Sequence, residues 1–376
     1  MAIGSALVTL DGTATGIALP AIGVTLDASM GHLQWICTAP MLALIAGLLA
    51  CFSLACAFAG SVTQLVTARV GIGIAGALIL PSALALVAGA FDDDARRARG
   101  FGTLAAWTGA AGILGPLLAG ALADYGSWRT IFVVPAAVVA MALALTARIK
   151  ERHDGRVQSR KPGLPAGTAS PFLRAMLQRN CVAANASTFA LFFGMFAISF
   201  LVVLYLQRTL RYSSLGAATL LLPMSAALAF SKPLSVFTAR WGSRMATLIG
   251  LATASAALWW IAIRAGSAPI SVFGVGSLCY GVGMALALPA LSNAAVTGPP
   301  GSHAGAASAI NHMIVRAGGV VSVALLGALA ATEQHRIPEA TFQQALQTAA
   351  VIVTAVGLGS ASWLRDREAG GMTAAR

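Results

Sequence analysis

The sequence predicts an all-α, polytopic membrane protein made of two helical bundles. Hydrophobic residues make up 58% of the 376 residues, charged residues only 10%, and the mean hydropathy is +0.81. A soluble domain has roughly 25% charged residues, and a compact globule of this size cannot hide so much apolar surface from water. Soluble enzymes, disordered chains and disulfide-stabilised secreted domains are therefore excluded.

Apolar stretches of about 20 residues, the length of a membrane-crossing helix, mark the first bundle. They lie at residues 2–26, 33–60, 63–91, 100–123 and 127–149. As one helix, 33–60 would measure about 42 Å against a hydrocarbon core of about 30 Å, whereas two crossings need about 40 apolar residues. We expect a single crossing there, tilted or kinked at Pro40, and an N-terminal transmembrane bundle over residues 1–149.

A polar linker, residues 150–180, separates the two halves, because basic side chains stand there among Pro and Gly. Residues 181–364 are expected to form the C-terminal bundle, and 365–376 a tail. The six predicted spans of that bundle are 181–206, 214–238, 245–264, 268–295, 304–331 and 341–364. The total of eleven spans, divided by a linker, is typical of transporters built from repeated halves.

The net charge of +12 follows membrane topology and does not indicate nucleic-acid binding, because the basic residues lie in short loops between apolar stretches. If the linker is cytoplasmic, its side carries 16 of the 24 Lys and Arg residues, the other side carries 5, and 3 lie within spans. This asymmetry predicts a cytoplasmic linker and C-terminus. Five preceding spans then place the N-terminus outside, unless the first span lies in the interface without crossing.

No nucleophile–base pair and no metal-ligand spacing occur in the sequence, so neither an enzyme nor a metal or cofactor site is expected. The five cysteines all lie inside apolar runs, where a free cysteine behaves as a small hydrophobe. The first ten residues lack the positive region of a cleaved signal peptide, so we interpret them as the start of the first span.

Several stretches carry recognisable motifs: 10–22 (LDGTATGIALPAI), 33–35 (LQW), 69–73 (RVGIG), 112–120 (GILGPLLAG), 127–132 (SWRTIF), 205–223 and 304–319. Together they resemble the major facilitator superfamily, and more narrowly its drug:proton antiporters with fourteen helices. The resemblance implies two bundles of the major facilitator type and proton-coupled efflux of small amphipathic compounds across the cytoplasmic membrane. The implied partners are the lipid bilayer, a small-molecule substrate and protons, with the protein acting as a monomer.

The sequence also departs from that family. The family's cytoplasmic loop between helices two and three is absent, and no Lys or Arg precedes Arg69. The two additional central helices of the fourteen-helix group are replaced by the linker. Because the family's loop motif is implied to control the conformational change, an alternative function stays open. In that alternative the chain is a non-transporting remnant or accessory membrane protein derived from such a transporter.

Proton coupling is assigned to Asp11 and Arg69. Asp11 is the one carboxylate well inside a predicted span. An ionised Asp at a helix centre costs about 2.5–3.5 kcal/mol, so this residue could take up and release a proton. Alternatively, it hydrogen-bonds a neighbouring threonine or faces a water-filled mouth. Arg69 lies roughly 9 Å into its span, where it could also extend to the interface; the resemblance ties it to proton coupling.

Substrate binding is assigned first to Arg316. It lies about 12 residues into its span, roughly 18 Å deep, where extension to the interface is implausible. Asn311 and His312 precede it by about one turn. Arg316 could bind an anionic substrate, or it could respond to the protonation of Asp11. The alternative is that Arg316 has a structural role, bound to backbone carbonyls.

Aromatic residues provide the other candidate substrate contacts, Trp35 at the start of the second span and Phe193 on an aromatic helix face. Such a face could line a cavity for lipophilic cations, or simply pack in the core. The antiporter motif is assigned to Gly112, Gly115, Pro116 and Gly120, where small residues permit close helix contact and the proline permits a kink. Plain helix packing explains the same residues equally well.

Overall fold

The computed structural model describes residues 45–90, 93–146, 176–229, 231–266, 269–296, 304–330 and 336–364. Within these ranges the chain is helical and contains no strand, which confirms the predicted fold class. The first predicted span with Asp11, and also Trp35, most of the linker and the tail, lie outside the described residues.

The chain divides into two compact units, the first made of residues 1–110 and 122–163, the second of residues 111–121 and 164–376. The described helices before the linker are α1 (Ile45–Ala57), α2 (Val62–Ala90), α3 (Asp94–Tyr125) and α4 (Thr130–Thr146). The middle of α3, residues 111–121, belongs to the second unit.

Side-chain caps explain where α2 and α3 begin. Ser61 Oγ accepts a hydrogen bond from the Gln64 backbone N–H at 3.2 Å, and Gln64 Oε1 accepts one from the Gly60 N–H at 2.9 Å. This reciprocal arrangement resembles a capping box. It differs from one because Gln64 accepts from the N–H of Gly60 and not from that of the cap residue, Ser61. Asp93 caps α3, because its carboxylate accepts from the backbone N–H groups of Ala95 and Arg96. Both caps satisfy helix-end donors that would otherwise be unpaired.

Six helices form the second unit after the linker. They are α5 (Arg179–Arg208), α6 (Ser214–Ala229), α7 (Ser231–Arg264), α8 (Pro269–Val296), α9 (Ala304–Leu329) and α10 (Glu339–Trp363). A π-helical turn interrupts α5 at Ile198–Val202 and another interrupts α10 at Val353–Leu358. Five helical segments of this unit are long and apolar enough to cross a membrane: Arg179–Arg208, Trp241–Arg264, Ser271–Ala295, Ala307–Leu329 and Glu339–Trp363.

The core of the second unit is built on aromatic residues from three helices. Tyr205 stacks on Phe342 with ring centroids 4.1 Å apart, and the Phe273 ring meets Phe342 edge-on at 6.2 Å. The buried Tyr280 hydroxyl donates to the backbone carbonyl of Leu191 at 2.5 Å. Aromatic side chains bury large apolar areas, and a buried tyrosine needs such a partner, so these contacts fix α5, α8 and α10 together.

Between residues 214 and 264 we predicted two spans separated by a short basic loop near Arg240 and Arg244. The structure has a break at this place, a kink within α7 that separates two helical segments. The break is a single residue, Gly242, with φ 82° and ψ 161°. Glycine adopts a positive φ without steric cost, so one residue redirects the chain where a loop was expected.

Candidate functional site

Helix α9 presents two contrasting faces, and one of them lies directly against α5. A Cβ atom added at Gly318 would lie 2.8 Å from the carbonyl oxygen of Phe189, and one at Gly319 would lie 2.7 Å from the Phe196 ring. No side chain larger than hydrogen fits at these positions, so α9 approaches α5 closely. This contact fixes the rotation of α9 about its axis.

A chain of polar contacts joins α9 to α5 and α8. Asn311 Nδ2 donates to Asn185 Oδ1 at 2.9 Å, Asn185 Nδ2 lies 3.6 Å from Cys181 Sγ, and Cys181 Sγ lies 3.4 Å from the Ala295 carbonyl oxygen. The Asn185 side chain is 8% exposed. Asn311 therefore has a structural partner on α5, which the sequence analysis missed. A polar amide inside the apolar stretch 181–206 was the signal that could have identified Asn185.

The opposite face of α9 is exposed and carries the other two predicted substrate contacts, His312 and Arg316. Met313 and Val320 share this face and are 69% and 68% exposed. Residues three and four apart lie side by side on a helix, so the four side chains form one continuous surface. We call this surface, His312, Met313, Arg316 and Val320, the α9 face.

Arg316 lies at the midpoint of α9, since Ala304 precedes it by 12 residues and Leu329 follows it by 13. Neither Arg316 nor His312 makes a hydrogen bond or an ion pair with another described residue. A guanidinium in contact with lipid at this depth costs at least about 2.5–3.5 kcal/mol. This cost favours a polar or water-accessible space in front of the α9 face.

Arg69, in the first unit, has an aromatic partner. Its guanidinium carbon lies 5.7 Å from the centroid of the Phe132 ring, a cation–π distance. Arg129 in the same unit donates to the Ala59 carbonyl at 3.1 Å and covers the Trp128 ring at 4.5 Å. The proton-coupling role assigned to Arg69 and Asp11 stays a prediction, since Asp11 lies outside the described residues.

The four residues of the predicted antiporter motif differ in their surroundings. Gly112, Gly115 and Pro116 are exposed, and Cβ atoms added at the two glycines would meet nothing within 4 Å among the described residues. Gly120 is buried, and a Cβ atom there would lie 2.9 Å from the Cα atom of Leu215 at the start of α6. Of the four, Gly120 is therefore the one that requires a glycine for packing.

Phe193 lies in the core of the second unit. It is 1% exposed, and its ring centroid is 6.2 Å from that of Phe189. This position favours core packing over direct contact with a substrate. Within the described ranges, no group of three or more His, Cys, Asp or Glu side chains is arranged to hold a metal ion.

Comparison with known proteins gives a family match over most of the chain. Residues 5–323 match the family described as Major Facilitator Superfamily. The chain is 24% identical to the "Tetracenomycin C resistance and export protein" of Streptomyces glaucescens, covering 88% of this chain and 75% of that protein. It is 25% identical to the "Methyl viologen resistance protein SmvA" of Salmonella typhimurium, covering 86% of this chain and 79% of that protein.

Two further comparisons agree with these. The "Multidrug resistance protein Stp" of Mycobacterium tuberculosis is 28% identical, with 74% of this chain and 61% of that protein covered. Among solved structures, a bacterial homolog of the human lysosomal transporter Spinster, in an inward-facing conformation, superimposes with a TM-score of 0.64. It is 17% identical and covers 94% of this chain and 92% of that chain, so it supports the fold alone.

Proposed function

Since the chain belongs to the Major Facilitator Superfamily, and is accordingly a multi-pass membrane protein, we propose that it exports small amphipathic compounds across the cytoplasmic membrane in exchange for protons. The observation that carries the proposal is Arg316, a charged side chain exposed at the midpoint of α9. A guanidinium kept at this depth is expensive, and such residues mark substrate or ion pathways. The names of the similar proteins, which refer to drug resistance and export, support the same function.

The proposal assigns distinct roles to the charged residues within the predicted spans. Asp11 takes up a proton from outside and releases it inside, and Arg69 contributes to this coupling. Arg316 contacts the substrate. The linker and the C-terminus are cytoplasmic in this scheme, because the basic loops lie on that side.

The absence of the family's cytoplasmic loop between helices two and three favours the alternative function, that of a non-transporting remnant. No Lys or Arg precedes Arg69, whereas the resemblance implies a basic loop there that controls the conformational change. A chain that lacks this loop could fold as a membrane protein without completing a transport cycle.

Proton flux in inverted membrane vesicles distinguishes the two functions. For a transporter, addition of a substrate from a panel of amphipathic fluorescent compounds collapses a preformed pH gradient, and Asp11→Asn abolishes this response while leaving protein yield unchanged. For a remnant, well-folded protein gives no substrate-dependent flux with any compound. Arg208→Gln serves as the matched control, because Arg208 is an exposed arginine at the end of α5.

Cysteine labelling tests the proposed orientation in a cysteine-free background. Ser213, exposed between α5 and α6, should react as Ser213→Cys with an impermeant maleimide in intact cells. Gln178→Cys, exposed just before α5, should react only after the membrane is opened. Labelling of Ser5→Cys in intact cells would support eleven spans with an outside N-terminus. Protection of Ser5→Cys would instead indicate that the first span does not cross.

A further inference from the structure

We propose that the α9 face binds an acidic group of the substrate, so that the exported compounds are amphipathic organic anions and not lipophilic cations. This inference rests on the proposed function and names its substrate class. The geometry that carries it is Arg316, exposed at the midpoint of α9 and without a hydrogen bond or ion pair to any described residue, with His312 one turn before it.

The charge on this face lacks a counter-ion within the described part of the chain. The acidic residues of the described helices stand at helix ends: Asp93 and Asp94 at the start of α3, Asp124 at its end and Glu339 at the start of α10. The described helices have no carboxylate within their apolar segments. A guanidinium without a counter-ion among the described residues attracts an anion and repels a cation.

The neighbours of Arg316 indicate what kind of anion would fit. Met313 and Val320 lie beside it and are mostly exposed, so they offer an apolar surface next to the charge. A planar guanidinium binds carboxylate and related oxyanions through two parallel hydrogen bonds. The combination suits a carboxylate, phenolate or sulfonate carried on an apolar ring or chain.

The other side of α9 holds Arg316 in place. Gly318 and Gly319 press against α5, and Asn311 is hydrogen-bonded to the buried Asn185. These contacts prevent rotation of α9, so the side of the helix from which Arg316 projects is set before a substrate arrives. The aromatic Phe193, which would favour a cation, is buried in the core and does not share this face.

Three compounds with one fluorophore test the inference: dansylglycine (anionic), its methylamide (neutral) and dansylcadaverine (cationic). Transport is measured in proteoliposomes with purified full-length protein and an imposed pH gradient. We expect dansylglycine to be transported best, and Arg316→Gln to raise its KM about tenfold or more, since a hydrogen bond to a charged group is lost. Arg316→Lys should recover part of this loss, and Arg208→Gln should behave like the unmodified protein.

The possible results separate the inference from the proposed function. If dansylcadaverine is transported and dansylglycine is not, or if Arg316→Gln leaves the KM for dansylglycine unchanged, the inference is wrong and the exporter function stands. If none of the three compounds nor any compound of the vesicle panel is transported, both are wrong. If Arg316→Gln does not fold, the melting temperature of the unmodified protein is measured with each compound instead. The inference then requires that dansylglycine raise the melting temperature more than dansylcadaverine does.

Discussion

Glycine plays different parts in the two units. In the second unit it permits backbone contact between helices, at positions where an added Cβ atom would lie within 3.0 Å of another helix's backbone: Gly120, Gly250, Gly281, Gly283 and Gly318. In the first unit, several helical glycines would meet no described atom within 4 Å, namely Gly47, Gly73, Gly76 and Gly102. Glycine therefore carries helix packing at the five second-unit positions, although that unit also has open glycines such as Gly274, whereas the four first-unit glycines leave open surface.

This difference shows that the abundance of glycine, 40 residues in all, is by itself no measure of helix packing. Association of membrane helices depends on close approach of their surfaces, because lipid tails are as apolar as leucine. Where backbones touch, side-chain size is strictly limited. Where they do not, a larger side chain should be accepted, and a glycine should even be a disadvantage for helix stability.

The largest expected effect is at the crossing of α7 and α8. A Cβ atom at Gly250 would lie 2.5 Å from the carbonyl oxygen of Gly283, and the reciprocal distance is 2.4 Å. Gly283→Val should force these helices apart and lower the free energy of unfolding by about 3 kcal/mol, the upper part of the range for overpacking. The reason is that the new side chain would meet backbone atoms of α7, which cannot move aside as a side chain can. Fluorescence-detected size exclusion in detergent should show a severe loss of monodisperse protein.

Two open glycines serve as controls for this crossing. Gly274→Val, on the same helix α8, and Gly73→Val, in the first unit, should keep the yield of the unmodified protein, because an added Cβ atom meets no described residue at either position. A loss at Gly73→Val equal to that at Gly283→Val would contradict the distinction between the two units.

A smaller effect is expected for the asparagine pair between α5 and α9. Asn185→Leu should lower stability by about 1–2 kcal/mol, because it removes an interhelical hydrogen bond and leaves the Asn311 amide without its partner. The double variant Asn185→Leu/Asn311→Leu should be destabilised by less than the sum of the single changes. Strictly additive melting temperatures would mean that the two amides do not interact.

Much of the second unit could be predicted from the sequence, since span position depends on local hydropathy. The stretch 181–206 corresponds to the helix Arg179–Arg208, and 268–295 corresponds to Pro269–Val296. These features follow from neighbours in the sequence and from the helical repeat.

Features that depend on distant contacts could not be predicted in this way. The Asn185–Asn311 hydrogen bond joins residues 126 positions apart, and the π-helical turns of α5 and α10 leave no hydropathy signal. Phe193 illustrates the same limit, because the aromatic spacing identified a helix face without indicating whether that face meets the core or a cavity. The roles of Asp11 and Trp35 stay predictions, since both lie outside the described residues.

The smallest expected effect concerns the contact between Arg69 and the ring of Phe132. It tests whether Arg69, in the first unit, gains stability from this aromatic partner. An exposed cation–π contact contributes about 0.5–1 kcal/mol, so Phe132→Leu should lower the melting temperature by only about 2 °C. Phe132→Tyr keeps an aromatic face under the guanidinium and should leave the melting temperature unchanged. In an Arg69→Gln background, the two Phe132 variants should no longer differ, because the cation is gone. A difference of the same size there would show that the ring contributes through packing alone, and Arg69, like Arg316, would then lack a stabilising partner among the described residues.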